Sequence, residues 1–456
     1  MAIIAAALKG IKSAPLALLG GAERVNECFA EAGHVWRDRL LDPATTLAMF
    51  VLQVLNGNTS MAHLRLLSGE RCAESSYCEA RKRLPAAGVA AVVEQLSCDP
   101  IKCNQNDSRW LGRRVLMTDG TSAAAPDTPE LQKLWPQPSG QKPGCGFPLL
   151  KLLMLMDLAS GMILQVTIMC RRVHEMSQLA AMHGKLLAGD VLLGDRAFCS
   201  FAHLHLLVKM SADAVFRMHQ RQIVDFTPNR PHRSKSKDKG ARRKRGIPTS
   251  RFVKKLGDQD QLVEWMRPLT WPDWMTFTQF LSQPPTLLIR ELRYQIAVKG
   301  YRTRQVTIAT TLLDPTRYSK RAIARLYKLR WEIETNFGHL KTTMKMEHLK
   351  CQTTDGVVKE LMVFALVYNL VRTAMIKAAQ NQKVADVNRI SFIAALRWVI
   401  TLLPPTPQPE PRLTVNPKRP DRTHPRVKKR RMKEYDLMTK PRSDYAEPRD
   451  RSRVKS

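Results

Sequence analysis

The residues of this sequence best suited to chemistry are four on one stretch and two far upstream of it. Tyr327, Arg330, Glu334 and Lys341 lie in a run without proline, with good helix formers on both sides, so the run predicts a helix, part of one long helix over 322–345. At 3.6 residues per turn the four fall within an arc of about 60°. One stripe then carries a phenol, a guanidinium, a carboxylate and an ammonium. Unpaired charges resist burial in an apolar core, whereas a polyanion held beside a cation-binding carboxylate would suit all four. Taken alone, the stripe also fits a surface helix laced by its own salt bridges.

The two upstream residues are aspartates. Asp119 follows the apolar run Val115-Leu116-Met117 and precedes Gly120-Thr121, and Asp195 closes the run Val191-Leu192-Leu193-Gly194. A carboxylate just past a buried strand marks a site at a sheet edge, although each Asp alone also fits an ordinary strand-end or turn residue. Adjacent strands would bring Asp119 and Asp195 together, and a helix would add Glu334. Three crowded carboxylates repel one another and are best neutralised by cations. Oxygen-only ligands favour Mg²⁺, or Mn²⁺, over zinc. Two such ions can activate a water or a 3′-hydroxyl and stabilise the leaving oxygen of a phosphodiester. Arg330 would grip a nearby phosphate as a fork and Lys341 as a point charge. Tyr327 would donate a hydrogen bond or pack against a sugar.

Positioning these groups takes a sheet with helices. Residues 152–158 and 162–169 read as a hairpin about Ala159-Ser160-Gly161, followed by helix, strand, helix and strand up to Met218. That alternation predicts an α/β mixed sheet. The loop 123–148, rich in Pro, Gly and Ser, reads as an irregular lid. Further strands are expected over 287–292, 294–298 and 305–312, and helices over 360–379 and 390–403. Before the sheet, short helices over 44–55, 59–67 and from Ser75 end in the basic run Arg81-Lys82-Arg83. Short helices joined by tight turns, the last one basic, suit a DNA-binding head; an ordinary helical subdomain is the alternative.

The 456 residues carry a formal charge of +33. Such a surplus points to nucleic acid before an anionic membrane surface. Residues 217–255 hold 14 Lys/Arg against two Asp, and the run Arg242-Arg243-Lys244-Arg245 lies at their centre. Trp265, Trp271 and Trp274 follow, a composition suited to base stacking but equally to the core of a small subdomain. Residues 411–456 hold 16 Lys/Arg and six Asp/Glu. They read as a Pro-rich, disordered tail adding non-specific DNA affinity. Nine cysteines without a CxxC pair read as free thiols. Met1–Leu19 reads as an amphipathic helix or loose arm, with a signal peptide as the alternative. The oily run 361–370 is too short to span a bilayer, and no membrane segment is predicted.

The arrangement Tyr327-x2-Arg330-x3-Glu334-x6-Lys341 resembles the signature of the DDE transposases of bacterial insertion sequences, in the branch named for its Tyr-Arg-Glu-Lys pattern. Asp119-Gly120-Thr121 resembles that family's first Asp motif, Asp195-Arg196-Ala197-Phe198 its second, and Leu312-Leu313-Asp314-Pro315 the approach to the catalytic Glu. The stretch 46–84 resembles its N-terminal region. The resemblance implies a ribonuclease-H-like catalytic core interrupted by a mainly β insertion, with a helical N-terminal domain. It also implies catalysis by Asp119, Asp195 and Glu334 on two divalent cations. Ends would be nicked, closed as hairpins, reopened and joined to target DNA, with a Trp of the insertion receiving a flipped base. The partners implied are double-stranded DNA, as transposon ends and target, and a second copy in a homodimer, in the bacterial cytoplasm.

The expected divisions are an arm at 1–22, a helical DNA-binding domain at 23–105, core segments at 106–218 and 301–403, the insertion at 219–300 and the tail at 404–456. A transposase-derived DNA-binding protein that no longer cuts, or a metal-dependent nuclease without strand transfer, are the alternatives.

Overall fold

β1 (Val115–Ala124) is the axis of the sheet. The computed structural model describes residues 20–37, 39–68, 72–98, 109–232, 247–296, 305–401, 412–417 and 435–445. Along one flank β1 pairs antiparallel with β2 (Leu149–Asp157), which pairs with β3 (Ile163–Cys170). Along the other it pairs in parallel with β4 (Val191–Gly194), which pairs in parallel with β5 (Asp213–Arg217). β2 and β4 are apolar on both faces because both faces of the sheet are covered. This mixed β3-β2-β1-β4-β5 order fits the expected ribonuclease-H-like core.

The sheet does not stop there. β6 (Arg251–Gly257), β7 (Asp260–Met266), β8 (Thr286–Gln295) and β9 (Gln305–Thr310) extend it in the order β5-β9-β8-β7-β6. The strands of the 219–300 segment therefore continue the central sheet and do not fold as a separate one. The two strands expected over 287–298 are the single β8, held along its length by both β7 and β9.

Alternation along β1 assigns its two faces. Val115 and Met117 join the core with α10 (Lys320–Lys328), α11 (Trp331–Gly338) and the long α12 (Thr354–Asn381). Leu116 and Leu192 face α7 (Glu175–Met182) and α8 (Phe201–Lys209) on the other side. α12 is long and apolar enough to cross a membrane, but 89% of its apolar window is buried inside the protein, so it is a core helix. It packs against α2 (Pro43–Leu55) and α5 (Ala86–Cys98), whose residues join the same core as the sheet. α2 starts where expected, with Pro43 at its first turn and the Asp42 carboxylate accepting from Thr45 N at 2.7 Å.

Two expectations need correction. The long helix over 322–345 is broken: α10 ends at Lys328, α11 begins at Trp331, and a π-turn follows over His339–Thr343. Across the break, Leu329, Arg330, Glu332 and Ile333 bond three residues back, not four, which tightens and redirects the chain. The tail is also not wholly a free arm. Val415 bridges to Ile390, Leu437 bridges to Gly146, and Arg442 pairs with Asp127 at 2.8 Å. The remaining tail, the arm 1–19 and the run Arg242–Arg245 lie outside the described residues.

Candidate active site at the end of the central strands

β1 outruns β4. It pairs with β4 only from Val115 to Met117, while β2 supports it as far as Ala124. Asp119 therefore sits within a strand, not beyond one as its Asp-Gly-Thr context suggests, yet β4 has ended beside it. Met117 is in register with Leu193, so Asp119 comes two residues further along β1, and Asp195 two residues further along the chain, just past the end of β4. By strand alternation Asp119 projects to the face covered by α11, whose Ile333 and Phe337 pack into that core, and Asp195 is near enough to act electrostatically on Asp119 and on Arg330.

Arg330 ties the third carboxylate in. Its guanidinium donates to Asp119 Oδ2 at 3.0 Å and to Glu334 Oε1 at 3.1 Å. It is buried, at 7% exposure. Burial works against its charge, but Tyr327, Asp119, Asp195 and Glu334 together outweigh that and hold its pKa above the usual value. All three predicted carboxylates thus act on one cation. Burial, reinforced by Asp195 and Glu175, pushes the Asp119 carboxyl up to about 6, against the Gly120 N–H bond and Arg330. Tyr327 is buried with its hydroxyl unpartnered among the described residues, and burial raises its pKa. Lys341 does not point down one continuous stripe, because the break and the π-turn intervene; its Nζ lies 3.4 Å from Glu347 Oε1.

Glu175 is the acidic group that the sequence reading missed. Its carboxylate lies against Gly120, where a side chain would collide with it. A glycine inside a strand signals such a close approach, so the Asp-Gly-Thr motif did hold the clue.

The model of the transposase DDE domain family matches residues 110–370. The chain belongs to the DDE transposase family. It is 25% identical over 453 residues to the transposase InsG of insertion sequence element IS4 from Escherichia coli (strain K12), covering 93% of this chain and 95% of that one. A piggyBac transposase synaptic complex with hairpin DNA aligns with a TM-score of 0.38 and 10% identity, over 83% of this chain and 76% of that one.

The carboxylates of this transposase are the type of donor that a hard divalent cation takes. Every donor is an oxygen, and Asp195 Oδ1 is buried without a hydrogen-bond partner among the described residues. Among those residues no three acidic, His or Cys side chains stand close enough to share an ion, and Arg330 bridges two of the three carboxylates instead.

The other DNA-contact candidates fare unequally. Arg81 is committed inside the fold: it donates to Gln53 Oε1 at 3.0 Å and lies 4.5 Å over the Phe50 ring. Lys82 and Arg83 are exposed at the end of α4 (Glu74–Arg83), with Lys82 pairing to Glu79 at 2.6 Å. Trp265 is in the core, its Nε1 donating to Glu291 at 2.9 Å. Trp274 stacks on His203 with centroids 4.6 Å apart. Of the three tryptophans, only Trp271 presents much surface, at 49% exposure.

Proposed function

We propose that this protein is a cut-and-paste DNA transposase that binds the terminal inverted repeats of its element, cleaves there with divalent cations and joins the 3′-hydroxyl ends to target DNA. The observation that carries this reading is that Asp119 within β1 and Asp195 just past the end of β4 each lie two residues beyond the paired Met117 and Leu193, with Glu334 linked to Asp119 through Arg330. Family membership supports it.

In this reading Asp119, Asp195 and Glu334 hold Mg²⁺, or Mn²⁺, which when bound would activate a water or 3′-hydroxyl and stabilise the leaving oxygen. The protein's own residues do the rest. β1 fixes Asp119 on paired backbone, and the end of β4 sets down Asp195 beside it. Arg330 keeps the carboxylates neutralised while no phosphate is present, then exchanges them for the DNA backbone, freeing their oxygens. Lys341 adds a second phosphate contact, and Tyr327 walls the site beside Arg330. Trp271 is the most accessible tryptophan for a displaced base. Lys82, Arg83, the run 242–245 and the basic tail extend the DNA contacts by charge. Hairpin closure of the cut ends, a homodimer pairing two ends and action in the bacterial cytoplasm complete the reading.

The test uses purified protein, DNA carrying its element's own terminal repeats, and Mg²⁺. Cleavage and joining are expected, with a hairpin species on a denaturing gel. Asp119→Asn, Asp195→Asn and Glu334→Gln should each abolish cleavage and leave end binding largely intact. Binding without cleavage by the native chain would favour a DNA-binding protein, cleavage without joining a nuclease, and normal cutting by any variant would remove that residue from the site.

A further inference from the structure

Glu360 lies in α12 with none of its surface exposed. A carboxylate that deep is costly unless its oxygens are satisfied. Here the donors come from two distant parts of the chain. Asn58 Nδ2 donates to Glu360 Oε1 at 2.5 Å, and the backbone N–H groups of Lys350 and Cys351 donate to the same carboxylate at 2.9 and 2.8 Å. Asn58 sits in the turn between α2 and α3 (Met61–Ser68). It is itself buried, with a φ of 56°, a left-handed conformation that asparagine adopts more readily than most residues. The Lys350 ammonium in turn donates to the Asn58 carbonyl, so the two segments are tied in both directions.

The segment that carries Lys350 runs along the end of the catalytic strand. Ala124 is the last residue of β1, the strand of Asp119. Its N–H donates to Glu347 O, and its carbonyl accepts from Leu349 N, each at 2.9 Å. The Glu347 side chain also pairs with Lys341. One buried carboxylate therefore joins the turn that launches α3 to the segment that pins the far end of β1 and engages Lys341. Apolar packing would hold these parts together, but hydrogen bonds converging on a shared buried acceptor also fix how they sit.

We propose that Asn58 and Glu360 are positioning residues for DNA cleavage. They set residues 345–351, and through them the end of β1 and Lys341, on the N-terminal helices, so that DNA seated on those helices is in register with the carboxylates. This rests on the function proposed above, and the experiment separates the two. Single-turnover cleavage of saturating terminal-repeat DNA in Mg²⁺ is measured on the full chain, with end affinity and melting temperature alongside, all below the lowest melting temperature of the set. Asn58→Gly removes the amide and keeps the backbone, because glycine accepts a positive φ. It should cut about 10- to 100-fold more slowly, with end affinity within about twofold of native. Asn58→Asp sets two carboxylates against each other and should cut as slowly. Adding Glu360→Gln to Asn58→Asp reverses the bond: the new amide donates to the new carboxylate while its oxygen still accepts from Cys351 N, and cleavage should return to near the native rate. A merely structural contact would lower the melting temperature and leave the rate of the folded, DNA-saturated protein unchanged. A native rate in Asn58→Gly, or a slow Asn58→Asp that Glu360→Gln does not restore, overturns this proposal and leaves the function standing. Bound ends left uncut by the native chain overturn the function itself. If Asn58→Asp does not fold alone, Asn58→Gly carries the test.

Discussion

Arg330 stands between Asp119 and Glu334 and within the field of Asp195. Without DNA it is the charge that lets these carboxylates coexist. Truncating it leaves them mutually repelling and partly desolvated, a cost on the order of 1–3 kcal/mol. Arg330→Ala should therefore lower the melting temperature in EDTA, and Mg²⁺ should restore more of it than it adds to the native chain. Equal melting and equal Mg²⁺ response in the two proteins would mean that Arg330 carries no such load. At this scale much was legible in the sequence. Asp119, Asp195, Arg330 and Glu334 announce themselves by type and by their places beside apolar strands or on one helical stretch. Glu175 does not, because its place depends on which helix covers β1 and on a side chain that Gly120 lacks. Nor do the inward commitments of Arg81 and Trp265, since basic or aromatic character says nothing about which partners the fold supplies.

Elements were legible where burial dictates composition. β2, β4 and α12 are apolar runs because they lie inside the protein, and α2 carries its cap and proline in the sequence. Local preference misled where tertiary contacts overrule it. Asp-Gly-Thr reads as lying just beyond a short strand, yet β2 pairs with β1 through it from Leu116 to Ala124. Residues 322–345 read as one helix, yet the chain breaks at Leu329–Arg330 where the guanidinium turns to Asp119. The buried Lys359 of α12 also escapes any sequence pattern. It donates to the carbonyls of Arg81, Lys82 and Leu84 at 3.0, 2.9 and 2.9 Å, closing the end of α4. Lys359→Met would leave those carbonyls without this donor, so denaturant unfolding should show a loss of about 3 kcal/mol. A loss under about 0.5 kcal/mol, the range of an ordinary surface change, would mean that α12 does not anchor the N-terminal helices in this way.

At the scale of the whole molecule, one sheet runs from the core strands through the 219–300 segment, and the N-terminal helices share its core. The charge of +33 was legible as a preference for a polyanion. The seating of tail residues 435–445 against the loop after β1 was not, because composition alone makes them look like free chain. In the proposed function the sheet holds Asp119 within β1 beside the end of β4, where α11 covers one face and α7 the other. The most direct test of that function is a crystal of the full chain on its terminal-repeat DNA, grown with Mn²⁺ and measured for anomalous scattering. The expected result is Mn²⁺ density within about 2.0–2.6 Å of oxygens from Asp119, Asp195 and Glu334, with Arg330 moved onto phosphate. Mn²⁺ bound elsewhere, or DNA cleaved while Arg330 still bridges Asp119 and Glu334, would contradict it.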